Sequence, residues 1–390
     1  MKILFVSSIP LEYSSSANMR NIALLKGFKE NGYEVYTLTP EPQKDFVAYD
    51  ATICDIEIEK KYFIPMGKIH SAATVKKNKK AKLKNAIYKI VKNFKIYDFR
   101  SSLAKKEVKI EEHFDLMISS SDPKSSHLIA ESLIKKNQKI AKKWIQYWGD
   151  PFADDINNKG IIPNFVIRNE ERRILSLANI VLYVSPFTLE KQKKLYPACA
   201  NKMIFLPIPY REKIFYNELK SEKKKFGYFG DYYTKNRNII PLYNVFKKIK
   251  NEELIICGNS EIELEKKNNI KILERQSLEN VRKMEQDVDI LVCICNKKGT
   301  QIPGKIYHYS ATNKPIMILI DGDYHEELKK YFESYDRFII CQNNEKDIRN
   351  TINLIKESEI DYSPVDKLCH KNIVKELLDE SEKIKNEKNI

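Results

Sequence analysis

Short apolar runs alternate along this chain with stretches whose apolar residues recur at helical spacing. Residues 2–6 (KILFV) read as a first strand, and a Ser-rich loop over 7–17 follows. Ile22, Leu25 and Phe28 share one face of a helix predicted over 18–31, which Gly32 ends before a second strand at 33–38. Strand, helix, strand in that order is parallel-sheet syntax. The pattern resumes with a strand at 114–120, a helix opening at 121–127 and running to about 136, and a strand at 144–147. A helix at 161–177, a strand at 180–184, a helix begun by Ser185, Pro186 and Phe187, and a strand at 203–209 complete this half. Residues 225–230 (KFGYFG) restart the alternation. Strands then follow at 253–257, 270–273, 290–294 and 316–320, with helices at 239–250, 278–286 and 345–358. Residues 363–390 read as one or two final helices.

That order predicts two α/β domains, 1–208 and 209–362, and a helical tail over 363–390. A chain of 390 residues is long enough for two cores, and 42% hydrophobic with 31% charged residues is a globular composition. No apolar run is long enough to span a bilayer, and the opening strand is too short for a signal peptide, so a cytoplasmic protein is expected. Seven scattered cysteines show no metal-ligand spacing and read as buried free thiols. The net charge of +15 calls for an anionic partner: nucleic acid, a membrane surface or a phosphorylated substrate.

One segment narrows that choice. Between the strands at 290–294 and 316–320 lie Pro303, Gly304 and Lys305, a turn into a short helix. A glycine-led helix start presents free N–H groups and the positive end of the helix dipole, and Lys305 adds a full charge, which suits a phosphate. Arg237 stands just after Gly230 and the first strand of the second half, where a guanidinium can grip phosphate oxygens in pairs. Asp150 follows a strand end, where α/β proteins place ligand-contacting groups; an N-cap on a helix beside Pro151 is the alternative. His127, on a helix in an apolar setting, reads more often as a core residue. No Asp-x-Asp lies at a strand end, so no metal or other cofactor is expected; Asp321-Gly322-Asp323 reads as a loop.

These residues also resemble the GT-B fold glycosyltransferases, family 4 above all. Pro303, Lys305, Ile306, Tyr307, Tyr309, Lys314 and Pro315 match that family's donor-binding segment. His308 and Thr300 stand where it has glutamates. Arg20, Gly32, Tyr33, Glu34 and Val35 match its opening, with Ser14, Ser15, Ser16 and Ala17 in place of glycines. Ser120, Ser121, Pro123, Ser125, His127, Trp144, Asp150 and Pro151 match a subset pattern. The resemblance implies two Rossmann-like domains facing each other across a cleft, the first for the acceptor and the second for a nucleotide sugar. It implies donor contacts from Gly230, Arg237, Gly258, Pro303, Gly304, Lys305, Ile306 and His308, and acceptor contacts from Ser15, Ser16, Arg20, His127 and Asp150. Catalysis would fall to Asp150, Arg237 and Lys305, without a metal and with retention of anomeric configuration. The setting it implies is bacterial surface polysaccharide assembly on a glycan or lipid-linked acceptor.

Residues 76–100 hold nine Lys and one Arg against the single acid Asp98, with Leu83, Ile87, Ile90, Val91 and Phe94 on one helical face. Such a helix suits the anionic inner face of the plasma membrane, or a core-packed helix with a solvated basic side. Nucleic acid is disfavoured, because no aromatic-interleaved recognition motif accompanies the charge. The glutamates replaced at 300 and 308 leave two other classes open: a non-catalytic GT-B subunit that binds a partner glycosyltransferase or glycan, and a sugar-nucleotide epimerase.

Overall fold

The computed structural model describes residues 1–65, 95–156, 160–218, 223–357 and 362–387. They form two compact units: Met1–Arg211 together with the chain from His370 onward, and Glu212–Cys369. The basic amphipathic stretch expected over 76–100 lies outside the described residues except for 95–100.

The first unit is built on seven parallel strands: β1 (Lys2–Val6), β2 (Glu34–Pro40), β3 (Lys60–Ile64), β4 (Phe114–Ser120), β5 (Ala141–Trp148), β6 (Ile180–Tyr183) and β7 (Met203–Phe205). They lie in the order β3-β2-β1-β4-β5-β6-β7. The chain fills the sheet outward from β1 to β3, then returns to β4 beside β1 and fills the other side. The boundary between β1 and β4 is therefore the switch point of the sheet. Helices α1 (Ser16–Glu30), α2 (Ser125–Lys136), α3 (Asn164–Leu177) and α4 (Pro186–Leu195) connect the strands. Strand residues such as Ile3, Leu4, Phe5, Met117, Ile118 and Ile145 are fully buried, as strands covered on both faces require.

The second unit repeats the plan with six parallel strands: β8 (Lys225–Phe229), β9 (Glu253–Cys257), β10 (Ile270–Leu273), β11 (Ile290–Ile294), β12 (Ile316–Ile320) and β13 (Ile339–Gln342). Their order is β10-β9-β8-β11-β12-β13, which puts the switch point between β8 and β11. The helices are α5 (Ile240–Lys248), α6 (Leu278–Gln286), α7 (Gly304–Tyr309), α8 (His325–Glu333) and α9 (Glu345–Glu357). The last helix, α10 (His370–Glu387), belongs to the first unit and packs on α1. Gly27 makes the approach possible: a Cβ there would lie 2.4 Å from the carbonyl oxygen of His370.

Several expectations need correction. Strand β7 ends at Phe205 instead of 209, because Pro207 and Pro209 have no N–H for a ladder. The helix expected from 161 begins at Asn164, after Pro163. Strands β3 and β13 and helix α8 were not expected at all. Among the described residues no helix is long and apolar enough to cross a membrane.

Candidate functional site

At the carboxyl end of the second sheet, the loops after β8 and β11 bring Arg237 and Lys305 to the switch point. Arg237 is half-buried, its backbone N–H donating to the carbonyl of Tyr233 at 2.6 Å. Its Nε donates to Asn296 Oδ1 at 2.9 Å, and Asn296 Nδ2 donates to the carbonyl of Gln301 at 2.9 Å. Asn296 thus ties the arginine loop to the segment leading into α7. Lys305, in the first turn of α7, lies with its Nζ 5.5 Å from the centre of the Tyr309 ring. Burial lowers its pKa, opposed chiefly by the carboxylate of Glu285. Burial raises the pKa of the Cys293 thiol of β11, and the charges of Lys305 and Arg237 work against it. Among the described residues neither cation has a carboxylate within ion-pair distance.

Two glycines shape the same edge. Gly258, after β9, packs directly on the backbone of Gly230, after β8: a Cβ on Gly258 would lie 2.0 Å from the Gly230 carbonyl oxygen. Pro303 and Gly304 lead into α7, and Ile306 is fully buried. The Ile306 side chain anchors α7 in the core. His308 is pushed down to about 4 by burial and by the charges of Lys305 and Arg282, so the imidazole is neutral near pH 7. It offers hydrogen bonds but no charge.

Sequence reasoning missed Glu285. It sits on the last turn of α6, 8% exposed, with its Oε2 accepting from the Tyr216 hydroxyl at 3.0 Å. Burial raises its pKa and the charge of Lys305 works against that rise. One acid on a polar helix carries no signal that could have found it.

The switch point of the first sheet is built differently. The loops after β4 and β5 place Asp122, Asp150 and Asp155 with their carboxylate oxygens within 4.8 Å of one another. That spacing could hold a cation, and Lys124 supplies one: its Nζ bonds Asp122 and reaches Asp155 Oδ2 at 3.0 Å. Burial works to raise Asp122, but the Lys124 ammonium outweighs it and holds that carboxyl low. Asp150 is pushed up to about 7 by burial and by the charge of Asp122. A carboxyl held low beside one raised toward neutrality is the arrangement of an acid–base pair. No helix follows Asp150 directly, which removes the N-cap reading. Its loop is instead held by the buried Glu171, which accepts from the N–H groups of Phe152 at 2.8 Å and Ala153 at 3.0 Å.

The residues expected to meet an acceptor are divided. Arg20 is buried, 4.8 Å over the Tyr147 ring, and its guanidinium donates to the carbonyl of Ser121 beside Asp122. It therefore joins Asp150 at the switch point. The Ser15 hydroxyl is occupied as the N-cap of α1, accepting from Asn18 N–H at 3.1 Å, while Ser16 is exposed. His127 is buried in the core. It has no exposed surface, its Nδ1 lies 2.7 Å from Ser119 Oγ, and its ring stacks 4.3 Å from Trp148. Burial pushes it down to about 3.

No protein-family model matches the sequence, and no curated protein matches it. Solved structures do resemble the fold. The lipopolysaccharide outer core galactosyltransferase WaaB, in its apo form, is 13% identical, with 97% of this chain and 99% of that one covered at a TM-score of 0.54. Anabaena HepE, solved with UDP and glucose, is 10% identical over 100% and 99% at 0.54. A glycosyltransferase from Rickettsia africae is 13% identical over 98% of both chains at 0.56. A UDP-N-acetylglucosamine 2-epimerase is 11% identical over 97% and 95% at 0.53. At these identities the likeness establishes the fold: two Rossmann-like halves of the GT-B class.

Proposed function

We propose that this GT-B protein transfers a sugar from a nucleotide-diphosphate donor to a hydroxyl of a glycan or lipid-linked acceptor. One observation carries the reading: Arg237 and Lys305 follow the neighbouring strands β8 and β11 at a switch point, with no carboxylate in ion-pair reach among the described residues. Two partly buried cations that make no ion pair among the described residues, with Glu285 only partly offsetting Lys305, favour a dianionic ligand, and a diphosphate is one. HepE, of the same fold, was solved with UDP and with UDP-glucose, which supports that ligand class.

As the glycosidic bond breaks, negative charge grows on the leaving diphosphate. The guanidinium and ammonium groups stabilise it there, the work a metal ion does in other transferases. Asp122 and Asp150, one held low and one raised toward neutrality, would accept or return the proton of an acceptor hydroxyl. Retention of configuration, and a place in surface polysaccharide assembly, belong to the same proposal on the family 4 resemblance. Epimerases share the fold as well; conversion of the donor sugar with no acceptor present would identify that reading.

The test is calorimetry with UDP, GDP, CMP and ADP on the wild type and on Arg237→Ala. Saturable binding of one diphosphate is expected, weakened about 10- to 100-fold in the variant. If no nucleotide binds, the reading fails.

A further inference from the structure

The loop from Asn296 to Pro303 carries a side chain for which the described residues supply no partner. Gln301 is 8% exposed, and both Nε2 and Oε1 of its carboxamide are buried without a hydrogen bond. Its backbone, in contrast, is fixed. The Gln301 carbonyl accepts from Asn296 Nδ2 at 2.9 Å, and Asn296 Oδ1 accepts from Arg237 Nε at 2.9 Å. Two hydrogen bonds therefore connect this residue to the cation that holds the diphosphate. Lys305 follows four positions later in the same segment.

Burying an amide with neither end bonded destabilises the folded chain, and an apolar residue of similar length would avoid that loss. Such a group is accounted for when a ligand brings the partners. A carboxamide offers donor hydrogens and an acceptor oxygen but no charge. Its complement is a neutral group that both donates and accepts, as sugar hydroxyls do. Gly299, at φ 79°, lies in the same loop in a backbone conformation that glycine adopts freely.

We propose that Gln301 reads the hydroxyls of the glycosyl group carried on the diphosphate, and so selects an uncharged sugar. This rests on the diphosphate reading of Arg237 and Lys305. The glycosyl group is the neutral part of the donor bonded to the distal phosphate. A nucleobase edge offers the same hydrogen-bonding chemistry, and the test separates the two.

Gln301→Met keeps the length and removes the polar atoms. Its melting temperature without ligand is compared with that of the wild type. Binding is then measured for UDP against UDP-glucose, or GDP against GDP-mannose, whichever nucleotide the wild type takes. The melting temperature is expected to hold or rise, nucleotide affinity to stay unchanged, and sugar-nucleotide affinity to fall about tenfold. Equal losses for nucleotide and sugar nucleotide would assign the carboxamide to the nucleoside and overturn the inference. A lower melting temperature with both affinities kept would make Gln301 structural and overturn it equally. If the wild type binds no nucleotide, the diphosphate reading falls and takes this inference with it. If the wild type binds and the variant matches it throughout, only the role of Gln301 is lost.

Discussion

At the switch point of the first sheet three carboxylates surround one lysine. At that of the second, an arginine and a lysine stand without a carboxylate in ion-pair reach among the described residues. The topology is the same: a strand, its neighbour from later in the chain, and loops from both carboxyl ends converging on one spot. What differs is the source of the counter-charge. Lys124 is an internal cation, held by Asp122 and Asp155 and raised by their charge against the effect of burial. Lys305 is buried enough for its pKa to fall, and Glu285 compensates only in part. A charged site that balances itself contributes to the fold, whereas one left unbalanced is available to a ligand.

The sharpest way to break this comparison is to make one substitution at both places. Lys124→Met leaves the partly exposed Asp122 and Asp155 without their cation, and is expected to lower stability by about 1–3 kcal/mol in urea unfolding at pH 7. The loss should shrink in acid, where Asp122 takes up a proton and no longer needs the lysine. Lys305→Met removes a cation that no carboxylate pairs with, so stability should hold while nucleotide binding weakens about 10- to 100-fold. If both variants lose stability alike, Lys305 is structural and the contrast between the two ends disappears.

A smaller effect sharpens the picture of the first site. Asp150 titrates near 7 in the fold, above its ordinary value of 3.8. The native state therefore holds a proton that the unfolded chain releases, and Asp150 removes stability as pH rises from about 4 to about 7. Asp122 has the opposite sign, contributing above its ordinary value and losing that contribution in acid. Asp150→Asn should flatten the stability profile between pH 4 and 7 in thermal melts. An unchanged profile would mean that the two carboxyls do not share a proton.

Much of the architecture was legible in the pattern of apolar residues. Helix α6 and strands β11 and β12 fall where the pattern put them: both strands bury a continuous apolar run, and α6 starts at its Ser277 N-cap. The two strands that escaped, β3 and β13, are both edge strands of their sheets. Only Tyr62 and Ile64 of β3 are buried, and only Cys341 of β13, so neither shows the apolar run of a central strand.

The sequence by itself determined two parallel α/β halves, and which loops follow the strand ends that carry Asp150, Arg237 and Lys305. These are local properties, set by spacing and turn chemistry within a few residues. Only the tertiary structure decided what each of those groups faces. Lys124 meets Asp155 across 31 positions, Arg237 meets Asn296 across 59, and the charge of Glu285, on another helix, acts on Lys305. It also closed His127 into the core and left the Gln301 carboxamide without a partner among the described residues. Burial and counter-charge depend on distance through space between residues far apart in the chain, and no local pattern encodes that distance.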